Sequence, residues 1–257
     1  MDAAGLRHRR IAPVTSAVAA LFVDERDRDV PGVALPRPEI HIVARLGTSA
    51  PGGLDIHAMG VRQRVHRKVL RRGQRAVTAR LKLDATEAIL GVPASALTGQ
   101  IVALADLWGE AASGRLLQRL AGAPDLAAAA AILESALAER RPAAAAVRPG
   151  AQLALMAADR LANASVNAVA DDLGVSERHL RRVFREALGL SPKTFARLAR
   201  FRRALGAARA SDRARWAGIA ASTGYYDQAH LIAEFRAIAG VTPQVLVDEL
   251  RVAPSLG

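Results

Sequence analysis

One helical unit occurs twice in this chain, and that repeat limits its fold more than any other feature. The stretch VADDLGVSERHLRRVFREALGLSP, residues 169–192, lies on IAASTGYYDQAHLIAEFRAIAGVTP, residues 219–243. Val169-Ala170 matches Ile219-Ala220, and Gly174 matches Gly224. With one extra residue in the second turn, Ser176 matches Asp227, His179-Leu180 matches His230-Leu231, and Phe184-Arg185 matches Phe235-Arg236. Gly189 with Ser191-Pro192 then matches Gly240 with Thr242-Pro243. Each copy reads as a helix, a glycine turn, a capped helix, a glycine stop and a capped proline start. That order predicts a helix-turn-helix, stated twice. A plain helical bundle also uses helix-glycine-helix, but two copies joined by a basic helix favour the specific reading.

In the first copy, Arg178, Arg181, Arg182 and Arg185 are spaced by three, four and seven residues, so they share one stripe. Leu180, Val183, Phe184, Ala187 and Leu188 form the opposite, buried stripe. The joining helix starts at Ser191-Pro192, with Phe195, Leu198 and Leu205 on its inner face. At 1.5 Å per residue it spans about 27 Å, against about 34 Å between successive major grooves.

Upstream, the period changes. IHIVARL alternates, with Ile40, Ile42, Ala44 and Leu46 on one side and His41, Val43 and Arg45 on the other. AVTARLKL continues the pattern, and Gly52-Gly53, Gly60 and Gly73 mark turns. Residues 1–10 read as frayed. The arginines of 61–72 are expected on strands, facing outward. Helical segments follow from Asp84 to about residue 139, and ERRPAAAAVRPGAQ reads as a linker. The expected fold class is α+β. A β-rich domain with trailing helices (a small barrel or sandwich, 11–140) precedes a linker (141–150) and an all-α domain of two helix-turn-helix units joined by a long helix (151–252).

Charge points to a polyanion. The net charge is +12. Residues 176–209 hold ten Lys/Arg against two acids, and residues 61–82 hold nine against none. A solvated arginine-rich surface accounts for charge alone equally well. The absence of cysteine excludes disulfides, thiolate zinc sites and cysteine nucleophiles, and it fits a cytoplasmic location. No apolar segment reaches the roughly 20 residues of a membrane span, and no signal peptide is readable.

The frame G-[FY]-x-D-Q…F-[RK]…G-x-[ST]-P in the second copy, with LGVSERHLRRVFREALGLSP in the first, resembles the DNA-binding domain of the AraC/XylS family of transcription regulators. LGVPASALTGQIVALADLWG resembles a little-characterised sensor-like domain that precedes this DNA-binding domain in some members. The resemblance implies a non-enzymatic transcription regulator without a cofactor. Its implied partner is double-stranded promoter DNA. A small-molecule effector, RNA polymerase and a second copy of the chain are further partners it leaves open. Matched to the family pattern, Arg178, Arg181, Arg182, Gln228 and His230 are the expected base readers. Ser176, Arg185, Lys193, Arg197, Arg200 and Arg236 are expected at phosphates, with Arg203 beside them. The second copy departs from the first: Ala229, Ile232 and Ala233 stand where the first has arginines. Base reading is therefore expected mainly from the first copy.

The N-terminal half says less. Glu39, His41, His57 and His66 invite a metal reading, but their spacing is irregular and isolated strand histidines are commonly structural. The arginine row at 62–75 is expected to be solvated rather than a site for an anionic effector or flanking DNA. Trp108 is expected in a helical core or lid. A sequence-indifferent DNA-compacting protein, or a metal-dependent barrel enzyme fused to a DNA-binding domain, are the competing classes. Binding without a preferred site, or bound metal, would favour them respectively.

Overall fold

The computed structural model describes residues 6–47, 50–140, 148–211, 214–253 and 255–256. The N-terminal half holds β1 (Leu6–Ile11), β2 (Val18–Arg26), β3 (Val30–Ala34), β4 (His41–Leu46), β5 (Leu54–Met59), β6 (His66–Leu70), β7 (Arg75–Leu81) and β8 (Ile101–Ala103). Six of these form one antiparallel sheet in the order β1-β2-β7-β4-β5-β8. A smaller sheet has the order β6-β3-β9, where β9 (Ser255–Leu256) returns from the far end of the chain to pair in parallel with β3. Helices α1 (Thr86–Leu90), α2 (Leu104–Trp108), α3 (Glu110–Ala121) and α4 (Leu126–Arg140) complete this half.

The pleat sorts the six-stranded sheet into two faces. Leu21 and Val23, Ile42 and Ala44, and Val77, Ala79 and Leu81 are buried, with α4 packed on β2 and β7 and α3 on β5. The opposite face carries Asp24, Arg26, His41, Arg45 and Thr78, and lines a cavity closed by the smaller sheet. Two expectations fail here. Residues 6–11 are not frayed: β1 pairs with β2 from Leu6↔Arg26 to Ile11↔Leu21, because an edge strand needs alternating contacts on one side only. Nor do the arginines of 61–72 all point outward, since Arg62 lines the cavity.

The C-terminal half is helical: α5 (Pro149–Leu161), α6 (Val166–Asp172), α7 (Glu177–Leu188), α8 (Pro192–Arg209), α9 (Trp216–Thr223), α10 (Gln228–Ala239) and α11 (Pro243–Val252). Of the expected linker, residues 141–147 lie outside the described residues, and 149–150 already belong to α5. Two aromatic clusters organise this half around α8. Phe184 of α7 meets Phe195 edge-on, with ring centroids 5.4 Å apart. Six residues later Phe201 meets Phe235 of α10 at 4.5 Å. Phe184, Phe201 and Phe235 are fully buried, so each unit is pegged to the same helix by its own phenylalanine pair. Among the described residues no helix is long and apolar enough to cross a membrane.

Candidate nucleic-acid interface

The local chemistry of the two units repeats closely. Ser176 accepts a bond from the His179 amide at 3.2 Å, and Asp227 accepts one from the His230 amide at 2.7 Å. Both oxygens satisfy donors that the first helical turn leaves free. Gly174 and Gly224 turn the chain at φ 65° and 84°, and Gly189 and Gly240 stop the second helices at 71° and 75°, a region in which a Cβ is disfavoured. Thr242 occupies the N-cap position of α11, but its side chain makes no capping bond.

Arg178, Arg181, Arg182 and Arg185 are all exposed on α7, opposite buried Leu180, Val183, Phe184 and Leu188. Arg181 is ion-paired with Glu177 one turn earlier. Arg182 lies 3.2 Å from Glu186 and 3.2 Å from His179 Nδ1. These intrahelical partners extend two guanidiniums along the surface, and exposed pairs of this kind are weak enough to be exchanged, at about 0.3–0.5 kcal/mol. Arg178 and Arg185 have no ion pair among the described residues. On α10 the corresponding face exposes Gln228, Ala229, His230, Ala233 and Arg236. Tyr226, in the turn just before it, is 93% exposed. The sequence does not single out this tyrosine, because an adjacent Tyr-Tyr pair carries no period that tells which ring is buried.

The connecting helix departs from expectation. Lys193 is exposed, but Arg197 and Arg200 turn inward to Glu234, at 3.6 and 2.8 Å. Arg203 donates to the carbonyls of Ala162 and Thr223. Glu234, on the buried face of α10, also accepts the Tyr225 hydroxyl at 3.0 Å, and the Arg200 guanidinium stacks 4.7 Å over the Tyr225 ring. Burial would by itself lower the Arg200 guanidinium, but the bond and charge of Glu234 outweigh it and raise it above the ordinary value. Burial, reinforced by Glu234, also raises the Tyr225 phenol. Arg200 and Arg203 thus tie the helices together through their terminal nitrogens, which are bonded within the protein. Nothing local signals this hub, because Glu234 reads as one more polar helix residue.

The N-terminal half grips both second helices at their C-terminal ends. Ser95 Oγ donates to Glu186 O at 2.6 Å, and Thr98 Oγ1 to Gly189 O at 3.4 Å, at the end of α7. The Val65 amide donates to Ile238 O at 2.9 Å, and Arg67 to Ala239 O at 2.9 Å, at the end of α10. Arg67 also pairs with Glu249 of α11 at 2.9 Å. These donors meet carbonyls that a helix end leaves unsatisfied. A third tie joins Glu39 to Arg202 of α8 at 3.5 Å.

The other sequence candidates are scattered. His57 lies 3.4 Å from Asp55, while His41 lines the cavity between the sheets. Among the described residues no group of three His, Asp or Glu is placed to hold a metal. Trp108 donates to Ile89 O at 3.0 Å beneath the Arg140 guanidinium.

Residues 169–248 match the protein family described as a helix-turn-helix domain. No curated protein matches the chain. Among solved structures it is similar to the C-terminal domain of AraT, a response regulator from Geobacillus stearothermophilus. The identity is 20%, over 41% of this chain and 88% of that one, with a TM-score of 0.36. It is similar to the DNA-binding domain of AdpA, a global transcriptional factor crystallised with a target DNA, at 24% identity over 40% and 93%, TM-score 0.35. It is also similar to ToxT from Vibrio cholerae, at 8% identity over 95% and 97%, TM-score 0.43.

Proposed function

We propose that residues 169–248, which match a helix-turn-helix family, form an AraC-type DNA-binding domain and that the chain is a sequence-specific DNA-binding transcription regulator. Its α7 and α10 enter successive major grooves, and α7 carries most of the base reading. The observation that supports this best is the contrast between two helices of matched frame: where α7 carries Arg178, Arg181, Arg182 and Arg185, α10 carries Ala229, Ile232, Ala233 and Arg236, so three of the four guanidiniums have no counterpart. Arginine bonds guanine O6 and N7 with two parallel donors, worth about 1–3 kcal/mol of discrimination per base pair. Arg178, Arg181 and Arg182 take this role. Gln228, and His230 beside it, supply the poorer reading of the second unit. Ser176, Arg185, Lys193, Arg236 and the Tyr226 hydroxyl hold phosphates, setting affinity and its salt dependence. Arg197 and Arg200, turned towards Glu234, are left out of that set.

Binding-site selection with the full chain, followed by the Arg182→Ala and His230→Ala variants, tests the proposal. A defined motif should emerge, and Arg182→Ala should relax preference at its base pair by about tenfold or more, the equivalent of about 1.4 kcal/mol. His230→Ala should change preference little. No motif, or equal loss from the two variants, overturns the reading.

A further inference from the structure

A cavity of about 100 Å³ lies between the two sheets of the N-terminal half. Its walls are unusually cationic, and the carboxylates nearby are committed elsewhere. Asp24 serves both His8, at 2.6 Å, and Arg26, at 3.5 Å. Glu39 faces Arg202, and Arg45 is already paired with Asp55. That leaves Arg37, Arg62 and Lys68 lining the cavity with no ion pair among the described residues. Arg37 and Arg62 are clamped side by side by reciprocal backbone hydrogen bonds of 3.1 and 3.2 Å. Arg26 Nε, Arg37 Nε and His41 Nε2 are buried without a hydrogen-bond partner, as is the acceptor Glu39 Oε2.

Burial and the neighbouring guanidiniums lower Arg37 to about 10 against the opposing charge of Glu39, and burial likewise lowers Arg62, while Lys68 is exposed on β6. Unpaired charge and unpaired donors are unfavourable in a protein interior. A cluster of this composition is relieved by an anion that supplies both the missing charge and the missing acceptors.

We propose that this cavity is a binding site for a small oxyanion, a phosphate or a short carboxylate, held by Arg37, Arg62 and Lys68. The volume decides the size class. At about 100 Å³ it is well below the roughly 300–1,000 Å³ of pockets for drug-sized ligands.

The cavity also touches the grips on both reading helices. Gly60, on its wall, packs so closely on the turn at residues 94–97 that a Cβ there would fall 1.5 Å from Leu97 O. That turn carries Ser95, which holds α7. Arg62 and Lys68 bracket Val65 and Arg67, which hold α10. Occupancy therefore alters DNA affinity, and this second statement rests on the regulator reading above.

Calorimetric titration and thermal melting of the full chain with inorganic phosphate, with succinate and with uncharged glycerol test the site. Saturable binding of phosphate or succinate, and none of glycerol, is expected, and the preferred anion tells the two sources apart. Arg37→Met should weaken that binding at least tenfold, while the unliganded variant melts no lower than wild type because a repelling charge has gone. Arg62→Gln should weaken binding likewise. No saturable binding of either anion, or stabilisation that persists undiminished in both variants, overturns the site. Tight anion binding with unchanged DNA affinity overturns the coupling alone, and absence of DNA binding strikes only the regulator reading.

Discussion

Gly189 and Gly240 occupy the same place in the two units, and comparing them measures how tightly the halves are joined. Both close a second helix at positive φ, 71° and 75°, so alanine at either costs about 1–2 kcal/mol of left-handed strain. Around Gly240 an added Cβ meets nothing within 4 Å. At Gly189 it would fall 2.0 Å from Thr98 Oγ1, 2.9 Å from Ser95 Cα and 3.4 Å from Ala94 O. The threonine hydroxyl can rotate aside, giving up its bond to Gly189 O. The Ser95 Cα is backbone and can yield only by moving the turn, which strains the Ser95 bond to Glu186 O as well. Overpacking of this kind costs about 1–3 kcal/mol, and a lost hydrogen bond about 1 kcal/mol. Gly240→Ala should thus cost about 1–2 kcal/mol and Gly189→Ala about 3–6 kcal/mol. Urea unfolding with linear extrapolation measures both. Thr98→Ala, placed in the Gly189→Ala background, should restore part of the difference. Equal costs for the two glycines, within about 0.5 kcal/mol, would refute the claim that the turn at 94–97 bears directly on α7.

Glu234→Gln keeps an acceptor for Tyr225 but removes the counter-charge of Arg200, whose side chain is 26% exposed. Allowing for that solvent screening, a loss of about 1–2 kcal/mol is expected in thermal or urea melts. His41 tests the electrostatics of the cavity. Burial, followed by Arg37, Arg80, Arg62 and Arg202, lowers its imidazole to about 3. Below its ordinary range the unfolded chain takes up a proton that the native chain refuses, so stability falls as pH falls from about 6.5 towards about 3. Wild type should lose about 2 kcal/mol more than His41→Asn between about pH 7 and pH 5 in phosphate-free buffer, and parallel pH profiles would remove the buried-imidazole argument.

How far the sequence reached depended on the range of the interactions. The helix-turn-helix units were legible because their signals are local. Ser176 and Asp227 cap amides three residues on, and Gly174, Gly189, Gly224 and Gly240 satisfy backbone angles at their own positions. The exposed arginine stripe of α7 followed from helical period alone. What failed was long-range. Residues 6–11 looked frayed because LRHRRI shows its strand character only beside β2. Arg62 was expected outside because nothing local announces that the smaller sheet covers it. Arg200 has the look of a phosphate contact until Glu234, thirty-four residues later, folds beneath it. The grip of Val65 on α10 joins two backbone groups, so no side chain could have signalled it.

The grips on α7 and α10 sit at their trailing ends, whereas helices of this kind meet base edges with their leading residues. The N-terminal half therefore holds two tools by their handles and leaves the blades bare. Control from that half need not hide or release the reading surfaces. On the regulator reading proposed above it would act on aim: a small tilt at either handle would swing the opposite tip across the floor of the groove, and with two handles on one frame, both tips would move together.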